Sequence, residues 1–236
     1  ENYPTHELGP LGVLLGIGHG NKFTSVSSFS SKSAGLDTYI KNHPDRDQTY
    51  ADGKWAQGDI ITTILTTEFG QTVRLTLDTT LPRPYSRGLE VHGTKAWFMQ
   101  DNMSVYSDAD HQESDHFKWK NFWGNYSQYE EKYMPKLWRD YLDAGIKKGH
   151  GGMDFLVLDA FLTAVREGDV MPIDIYDSVI MMAVTPLSEQ SIKNGGMPVD
   201  FPDFTNGKWQ NREPAVRGKY CLDEICIDEN TRIVNE

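Results

Sequence analysis

The stretch that decides the fold is Asp59-Ile-Ile-Thr-Thr-Ile-Leu-Thr-Thr-Glu-Phe-Gly-Gln-Thr-Val-Arg-Leu-Thr-Leu-Asp-Thr79. Its two halves are dense in Ile, Leu, Val and Thr, and Phe69-Gly70-Gln71 separates them. Two such runs around a glycine-containing turn predict a β-hairpin. Residues 89–92 and 95–99 predict a second strand pair, and residues 103–106 add a strand. We therefore predict a mainly antiparallel sheet with one solvated or ligand-facing side.

Helical signals surround these strands. We predict helices over residues 5–15, 127–144 and 153–167, the second of them limited or kinked by Pro135. In the third helix, helical spacing brings four apolar residues onto one face. These residues are Phe155, Leu158, Leu162 and Val165.

Two further segments complete the predicted organisation. Asp174 can cap a helix that Pro186 then interrupts, because proline lacks the backbone N–H that a helix interior requires. Residues 31–57 are polar and broken by glycine and proline, which predicts a long loop. Residues 23–29 predict one more strand.

Composition and charge bound the function. The 236 residues suffice for one large domain or two small ones. The formal net charge of -11 argues against nucleic acid and anionic membrane surfaces as partners. No apolar run reaches the length of a membrane-spanning helix. The chain begins with Glu1 and shows no signal peptide, so either the mature protein begins here or an N-terminal part is missing. The closeness of Tyr3 and His6 to this end favours a missing part.

Cysteine and histidine usage is sparse. Cys221 and Cys226 are too few for a disulfide scaffold or a zinc site, and a local disulfide and two free thiols remain alternatives. Residues 107–125 are rich in His, Asp and Trp, but their spacing matches no metal-ligand motif. We predict a solvated loop there and no metal site.

The strongest candidate site is Tyr3-Pro4-Thr5-His6. Proline favours the first position of a helix, so Tyr3 should lie at a helix start and His6 in the first turn. Both rings can then face one cleft. The positive end of the helix dipole favours a neutral imidazole that can accept a proton. The pattern is typical of an acid–base pair, although a terminal Tyr and His are more often packing or surface groups.

Other motifs offer weaker candidates. Arg83 and Tyr85 lie on a proline-stiffened loop, which could contact a ligand or be a rigid surface turn. His150 lies in a glycine-rich segment before a helix, where an anion or sugar hydroxyl could bind, but simple helix capping explains it equally well. The glycines of residues 16–20 follow a helix and precede a strand, which is the reverse of a dinucleotide fingerprint, and we predict a helix stop there.

Several motifs together resemble glycoside hydrolase family 109, NAD-dependent α-N-acetylgalactosaminidases of the Gfo/Idh/MocA superfamily. They run in the family's order from Tyr3 to about Thr205. The motifs are Tyr-Pro-Thr-His, Gly-Asn-Lys-Phe, Arg-Pro-Tyr-Ser-Arg, Gly-His-Gly-Gly-Met-Asp-Phe, Thr-Pro-Leu-Ser-Glu and Val-Asp-Phe-Pro-Asp-Phe. The resemblance implies an α+β fold with an open, mainly antiparallel β-sheet and helices on one face. It also implies that residues 1–236 form the substrate-binding C-terminal domain, with the N-terminal dinucleotide-binding domain absent from this chain.

The resemblance implies a chemistry that differs from the usual pair of carboxylates. NAD transiently oxidises carbon 3 of the sugar, a base removes the proton on carbon 2, and the aglycone is eliminated from carbon 1. Tyr3 and His6 match the family's catalytic and substrate-binding Tyr-x-x-His, together with Pro4 and Thr5, and Tyr85 matches a substrate-contacting tyrosine. NAD would be held mainly by the missing domain, so we expect the isolated chain to be inactive.

Two other functions remain open from the sequence. One is a sugar dehydrogenase or oxidoreductase of the same superfamily. The other is a non-enzymatic domain for carbohydrate binding or oligomerisation. By analogy with the superfamily we expect a sugar or glycoside substrate, a homodimer through the sheet, and a periplasmic or secreted location.

Overall fold

The structure, a computed structural model, describes residues 1–51, 53, 55–145, 149–212 and 219–221, without the side chain of Glu131. The chain forms two compact units. The first unit comprises Glu1–Arg83 and Ile173–Ala215, and the second comprises Pro84–Pro172 and Val216–Glu236. The sheets are open and their named strands pair antiparallel, which confirms the predicted α+β class.

The first unit contains a four-stranded sheet in the order β3-β2-β1-β7. The strands are β1 (Phe23–Ser30), β2 (Ile60–Thr67), β3 (Thr72–Asp78) and β7 (Val199–Asp200). In the β2–β3 hairpin, Ile61 pairs with Leu77 and Leu65 with Val73. The predicted hairpin is therefore confirmed, and its register brings Ile61 and Leu65 of β2 onto the same face as Val73, Leu75 and Leu77 of β3.

That face forms the core of the first unit. Val26 and Leu65 are fully buried, and Val73 and Leu75 lie beside them in the same cluster. Ser28 and Thr63 are also fully buried on this face, where their hydroxyls share a hydrogen bond of 2.7 Å. Each buried hydroxyl thus has a partner, which removes most of the free-energy cost of burying it.

Helices α1 (Thr5–Leu14) and α6 (Ile175–Lys193) belong to the first unit, and α6 packs across β1. Asp174 caps α6 as predicted, because its carboxylate accepts the backbone N–H of Tyr176 at 2.7 Å. The predicted interruption at Pro186 is wrong, since α6 continues to Lys193. Val184 and Ser188 flank the proline and are fully buried, so tertiary burial outweighs the roughly 3 kcal/mol cost of proline inside a helix.

The segment predicted as a long loop contains a helix, α2 (Gly35–Asn42). The Asp59 carboxylate accepts the backbone N–H of Ala34 at 2.8 Å and that of Gly35 at 2.9 Å. Asp59 lies 24 and 25 residues further along the chain than these two residues. Its carboxylate therefore accepts the backbone N–H groups that are left without a partner at the start of this helix. A local pattern could not reveal that contact.

The second unit has a three-stranded antiparallel sheet in the order β4-β5-β6. Its strands are β4 (Glu90–His92), β5 (Ala96–Met99) and β6 (Ser104–Ser107), close to the predicted bounds. Its helices are α3 (Ser127–Tyr133), α4 (Lys136–Asp143) and α5 (Met153–Glu167). Pro135 separates α3 from α4, which confirms the predicted limit.

Helix α5 has the predicted bounds, and the predicted apolar face is exposed. Among the residues of α5, Leu156 and Ala164 are buried. The exposed residues are Phe155, Leu158, Leu162 and Val165. Periodicity identified an apolar stripe without telling which surface it contacts.

Candidate functional site

The phenol of Tyr3 and the imidazole of His6 lie side by side at the start of α1. Tyr3 Oη is 3.4 Å from His6 Nε2, and the ring centroids are 4.7 Å apart. His6 is the second residue of the helix, and 57% of Tyr3 is exposed. The predicted proximity of the two rings is therefore present, and solvent reaches them.

The backbone beneath these rings is well anchored. Pro4 is fully buried, and its carbonyl accepts the N–H of Leu8 at 2.9 Å. Leu8 belongs to the hydrophobic core, so the first turn of α1 is attached to the sheet. The Glu1 carboxylate accepts the N–H of Tyr3 at 3.3 Å. Two reactive side chains are thus presented on a backbone that packing holds in place, as a binding or catalytic site requires.

The proline-stiffened loop divides between the two units. In the first unit, Arg83 Nε donates to the carbonyl of Asp78 at 3.2 Å and lies 3.5 Å from its carboxylate. In the second unit, Tyr85 is strongly exposed, and its hydroxyl accepts a hydrogen bond from Arg87 Nε at 3.3 Å. Arg83 therefore has a structural partner within the hairpin, and Tyr85 presents its ring to solvent.

His150 lies in a strained turn of the second unit. Its φ is +37°, a left-handed value that few residues other than glycine adopt, and Gly149, Gly151 and Gly152 are left-handed too. Its Nδ1 is 3.0 Å from the Asp154 carboxylate in the first turn of α5. This His–Asp contact joins the turn to the helix. The start of α5 has Gly152 as its N-cap and no side-chain cap hydrogen bond, so capping by Asp154 is not confirmed.

Residues 16–20 do not form a phosphate-binding loop. They follow α1 and lead into β1, and Ile17 and Asn21 close the turn with an isolated bridge. A dinucleotide site needs a strand, a glycine turn and a helix in that order. The predicted helix stop is confirmed, and the described residues do not fit NAD at this glycine segment.

A buried charge cluster escaped the sequence analysis. Arg212 Nη1 lies 3.0 Å from Asp177 Oδ1, and Nη2 lies 2.5 Å from Asp174 Oδ2. His19 joins them, with Nε2 3.4 Å from the Asp177 carboxylate and Nδ1 3.2 Å from the carbonyl of Arg212. The cluster ties the glycine turn after α1 to the start of α6. Its members are up to 193 residues apart in the chain, so no local motif could indicate it.

Mutual contacts shift the ionisation of this cluster. The hydrogen bond with Asp177 raises the pKa of His19, against the opposing effect of burial. Burial alone would raise the pKa of Asp177, but hydrogen bonds from His19, the Asp174 N–H and Arg212 outweigh it, and the pKa is lowered. The contacts within the cluster therefore favour the protonated form of His19 and the ionised form of Asp177.

Other predictions concern metals, membranes and thiols. Among the described residues, no group of three or more His, Cys, Asp or Glu is placed to hold a metal ion. No helix in the described part of the chain is both long and apolar enough to cross a bilayer. Cys221 is buried, and Cys226 lies outside the described residues. His111 stacks on Tyr106 rather than lying in a fully solvated loop.

Comparisons with known proteins agree with this architecture. Residues 1–211 match the family model described as Glycosyl hydrolase 109, C-terminal domain. The chain is 42% identical over 228 residues to a glycosyl hydrolase family 109 protein of Stenotrophomonas maltophilia, covering 93% of this chain and 48% of that protein. It is 39% identical over 213 residues to an alpha-N-acetylgalactosaminidase of Tannerella forsythia, covering 90% of this chain and 44% of that protein.

A third relative is an alpha-N-acetylgalactosaminidase of Shewanella oneidensis, 35% identical over 90% of this chain and 46% of that protein. The chain thus spans about half the length of the curated relatives it matches. The family model covers most of the chain, and the resemblance inferred from the motifs is confirmed. This chain belongs to glycosyl hydrolase family 109, a family of glycosidases.

Proposed function

We propose that this chain is the substrate-binding half of an NAD-dependent glycosidase. The whole protein would release terminal α-N-acetylgalactosamine by transient oxidation at carbon 3 and elimination of the aglycone from carbon 1. Water would then add across the new double bond, and the ketone at carbon 3 would be reduced again. The observation that carries the proposal is the adjacent Tyr3 phenol and His6 imidazole on an anchored helix start, within a chain of this family. Two similar proteins bear the name alpha-N-acetylgalactosaminidase, which supports the choice of sugar.

The chemistry asks little of this chain beyond binding and proton transfer. NAD, bound outside the described residues, would supply hydride exchange at carbon 3. A ketone there acidifies the hydrogen on carbon 2, and a neutral imidazole at His6 can accept that proton. The Tyr3 hydroxyl can hydrogen-bond the oxygen on carbon 3 and exchange its proton with His6 Nε2. A separation of 3.4 Å is long for such a bond, as is common before substrate tightens a site.

Substrate binding would use further residues of the family's motifs. Pro4 and Thr5 continue the segment that presents the two rings, and Tyr85 would contact the sugar. The exposure of Tyr85 within its unit leaves its ring accessible for that role. Because NAD would be bound elsewhere, we propose that the isolated chain does not turn over substrate.

The test uses the complete gene product with a chromogenic α-N-acetylgalactosaminide in deuterated water. We expect chromophore release and deuterium at carbon 2 of the freed sugar. His6→Ala should lower the rate by roughly 10²–10⁴-fold, the usual contribution of general acid–base catalysis. The control is His92→Ala. His92 is an exposed histidine of the second unit, and its ion-pair partner among the described residues is Glu90.

The outcomes separate the competing functions. Release without deuterium at carbon 2, or an unchanged rate in His6→Ala, would refute the proposed chemistry. NADH that accumulates with free sugars, and no released chromophore, would establish a sugar dehydrogenase instead. Binding of the glycoside with neither reaction would leave the non-enzymatic carbohydrate-binding function.

The open sheet also bears on assembly. The face of β2 and β3 opposite the core carries four threonines. Thr62 and Thr66 are half-buried, and Thr72 and Thr76 are exposed. We propose that two copies associate through this face. Sedimentation of the complete protein tests it, and a monomer at micromolar concentration would exclude this dimer.

A further inference from the structure

Two tryptophans of the second unit are displayed to solvent as an adjacent pair. Trp119 is 53% exposed and Trp123 is 55% exposed, and their ring centroids are 4.8 Å apart with the planes inclined at 59°. Large aromatic rings dominate burial in cores and interfaces because they remove much apolar area from water. Two of them exposed side by side form a bent apolar surface that a ligand can cover. The residues Trp119 and Trp123 are called the tryptophan pair below.

The pair is held rigidly from beneath. Phe122, between the two tryptophans in sequence, is buried and packs edge-on against Tyr106 at 5.0 Å. Asn125 then clamps the segment to β6, because its side chain accepts the N–H of Val105 at 2.7 Å and donates to the Val105 carbonyl at 2.8 Å. Rings on such a support lose little freedom on binding, which favours affinity.

The surroundings of the pair favour a hydroxylated ligand over an aliphatic one. Lys120 is exposed, and its Nζ lies 5.4 Å from the Trp119 ring centroid; Lys118 and Asn121, which are near the tryptophans in sequence, are exposed too. Sugars present apolar C–H faces and a rim of hydroxyls, so they can stack on the rings and hydrogen-bond these side chains. Asp115 pairs with Lys118 at 2.9 Å and offsets its charge, which argues for a neutral sugar.

We infer that the tryptophan pair is a non-catalytic contact site for neutral oligosaccharides. The inference rests on the proposed glycosidase function, because that function supplies the class of ligand. The exposed apolar face of α5 is not such a site, because it is formed mainly by aliphatic side chains and not by a pair of large aromatic rings. A second sugar contact would prolong the residence of the protein on a substrate that carries several glycans.

The experiment is an NMR titration of the ¹⁵N-labelled 236-residue chain with a neutral trisaccharide ending in α-N-acetylgalactosamine. The chain has six tryptophans, whose indole N–H signals can be assigned by Trp→Phe substitution. We expect the signals of Trp119 and Trp123 to shift saturably, while that of the buried Trp209 stays. Trp119→Ala and Trp123→Ala should each weaken binding about tenfold, as for a central contact residue.

Matched variants separate this site from others. Phe161→Ala removes an exposed aromatic ring from α5 and should leave the affinity unchanged. In Tyr3→Phe the shifts of the tryptophan pair should persist, and they should persist even if the complete protein proves inactive. Absence of saturable shifts at the pair, with turnover intact, would overturn this inference alone. Shifts that grow with protein concentration and not with sugar would identify a protein interface and also overturn it.

Discussion

Replacing Arg212 by methionine should destabilise the first unit selectively. The guanidinium contacts the carboxylates of Asp174 and Asp177, and it lies 5.4 Å from the centre of the Tyr176 ring. Methionine keeps much of the aliphatic volume and removes the charge. Two carboxylates at the start of α6 then lose their main cationic partner. The turn after α1 loses the hydrogen bond from Arg212 Nη1 to the Gly18 carbonyl and keeps the contact of His19 with Asp177.

The size of the effect follows from burial and from the donors that remain. Only 11% of the Arg212 side chain is exposed, against 18% for Asp174 and 19% for Asp177. Removing one partner of a buried ion pair costs about 3–5 kcal/mol. Both carboxylates keep backbone donors, since Asp174 accepts two N–H groups and Asp177 accepts one. We therefore expect a loss of about 2–3 kcal/mol, below or at the bottom of that range.

Native-state hydrogen exchange of peptides from β1 and β2 measures this loss within the first unit. Arg166→Met is the control, because the Arg166 side chain is 72% exposed and pairs with its exposed neighbour Glu167. It should change stability by less than about 0.5 kcal/mol. In the double variant Arg212→Met with Asp177→Asn, the loss should be smaller than the sum of the single losses. Additive losses, or an Arg212 effect as small as the control's, would refute the reasoning.

Two further predictions concern stability. The pKa of His19 is raised above 6.5, so its contribution is fully present below pH 6.5 and is lost as the pH rises through the folded-state value. His19→Gln should flatten this fall in a series of urea denaturations at pH values rising from 6.5, and an equal slope in both proteins would contradict the cause given. Leu65→Ala should cost about 3–4 kcal/mol, because Leu65 is fully buried, whereas Leu158→Ala at an exposed position should cost less than about 1 kcal/mol. Equal losses in urea midpoints would show that the assignment of the core is wrong.

Local chemistry explains what could be predicted. The β2–β3 hairpin depends on two alternating runs and one glycine turn, all within 19 residues of chain from Ile60 to Asp78. The break between α3 and α4 depends on Pro135 alone. The proximity of Tyr3 and His6 depends on one helical turn after Pro4. Each feature is set by neighbours in sequence, so the sequence alone sufficed for the fold class and for this candidate pair.

Contacts between distant segments decided the rest. Helix α6 runs through Pro186 because the sheet buries its flanks, and α2 begins where Asp59 can bond its first N–H groups. Arg212 meets Asp177 only after the chain has folded back over α6. The free energy of such contacts depends on which surfaces meet in space. A local pattern of residue types does not indicate which distant segments come into contact. The sequence by itself determined the β2–β3 hairpin, the break between α3 and α4 and the Tyr3–His6 pair. The tertiary structure decided where α2 forms, how far α6 extends, which helix faces are buried and which charges are paired.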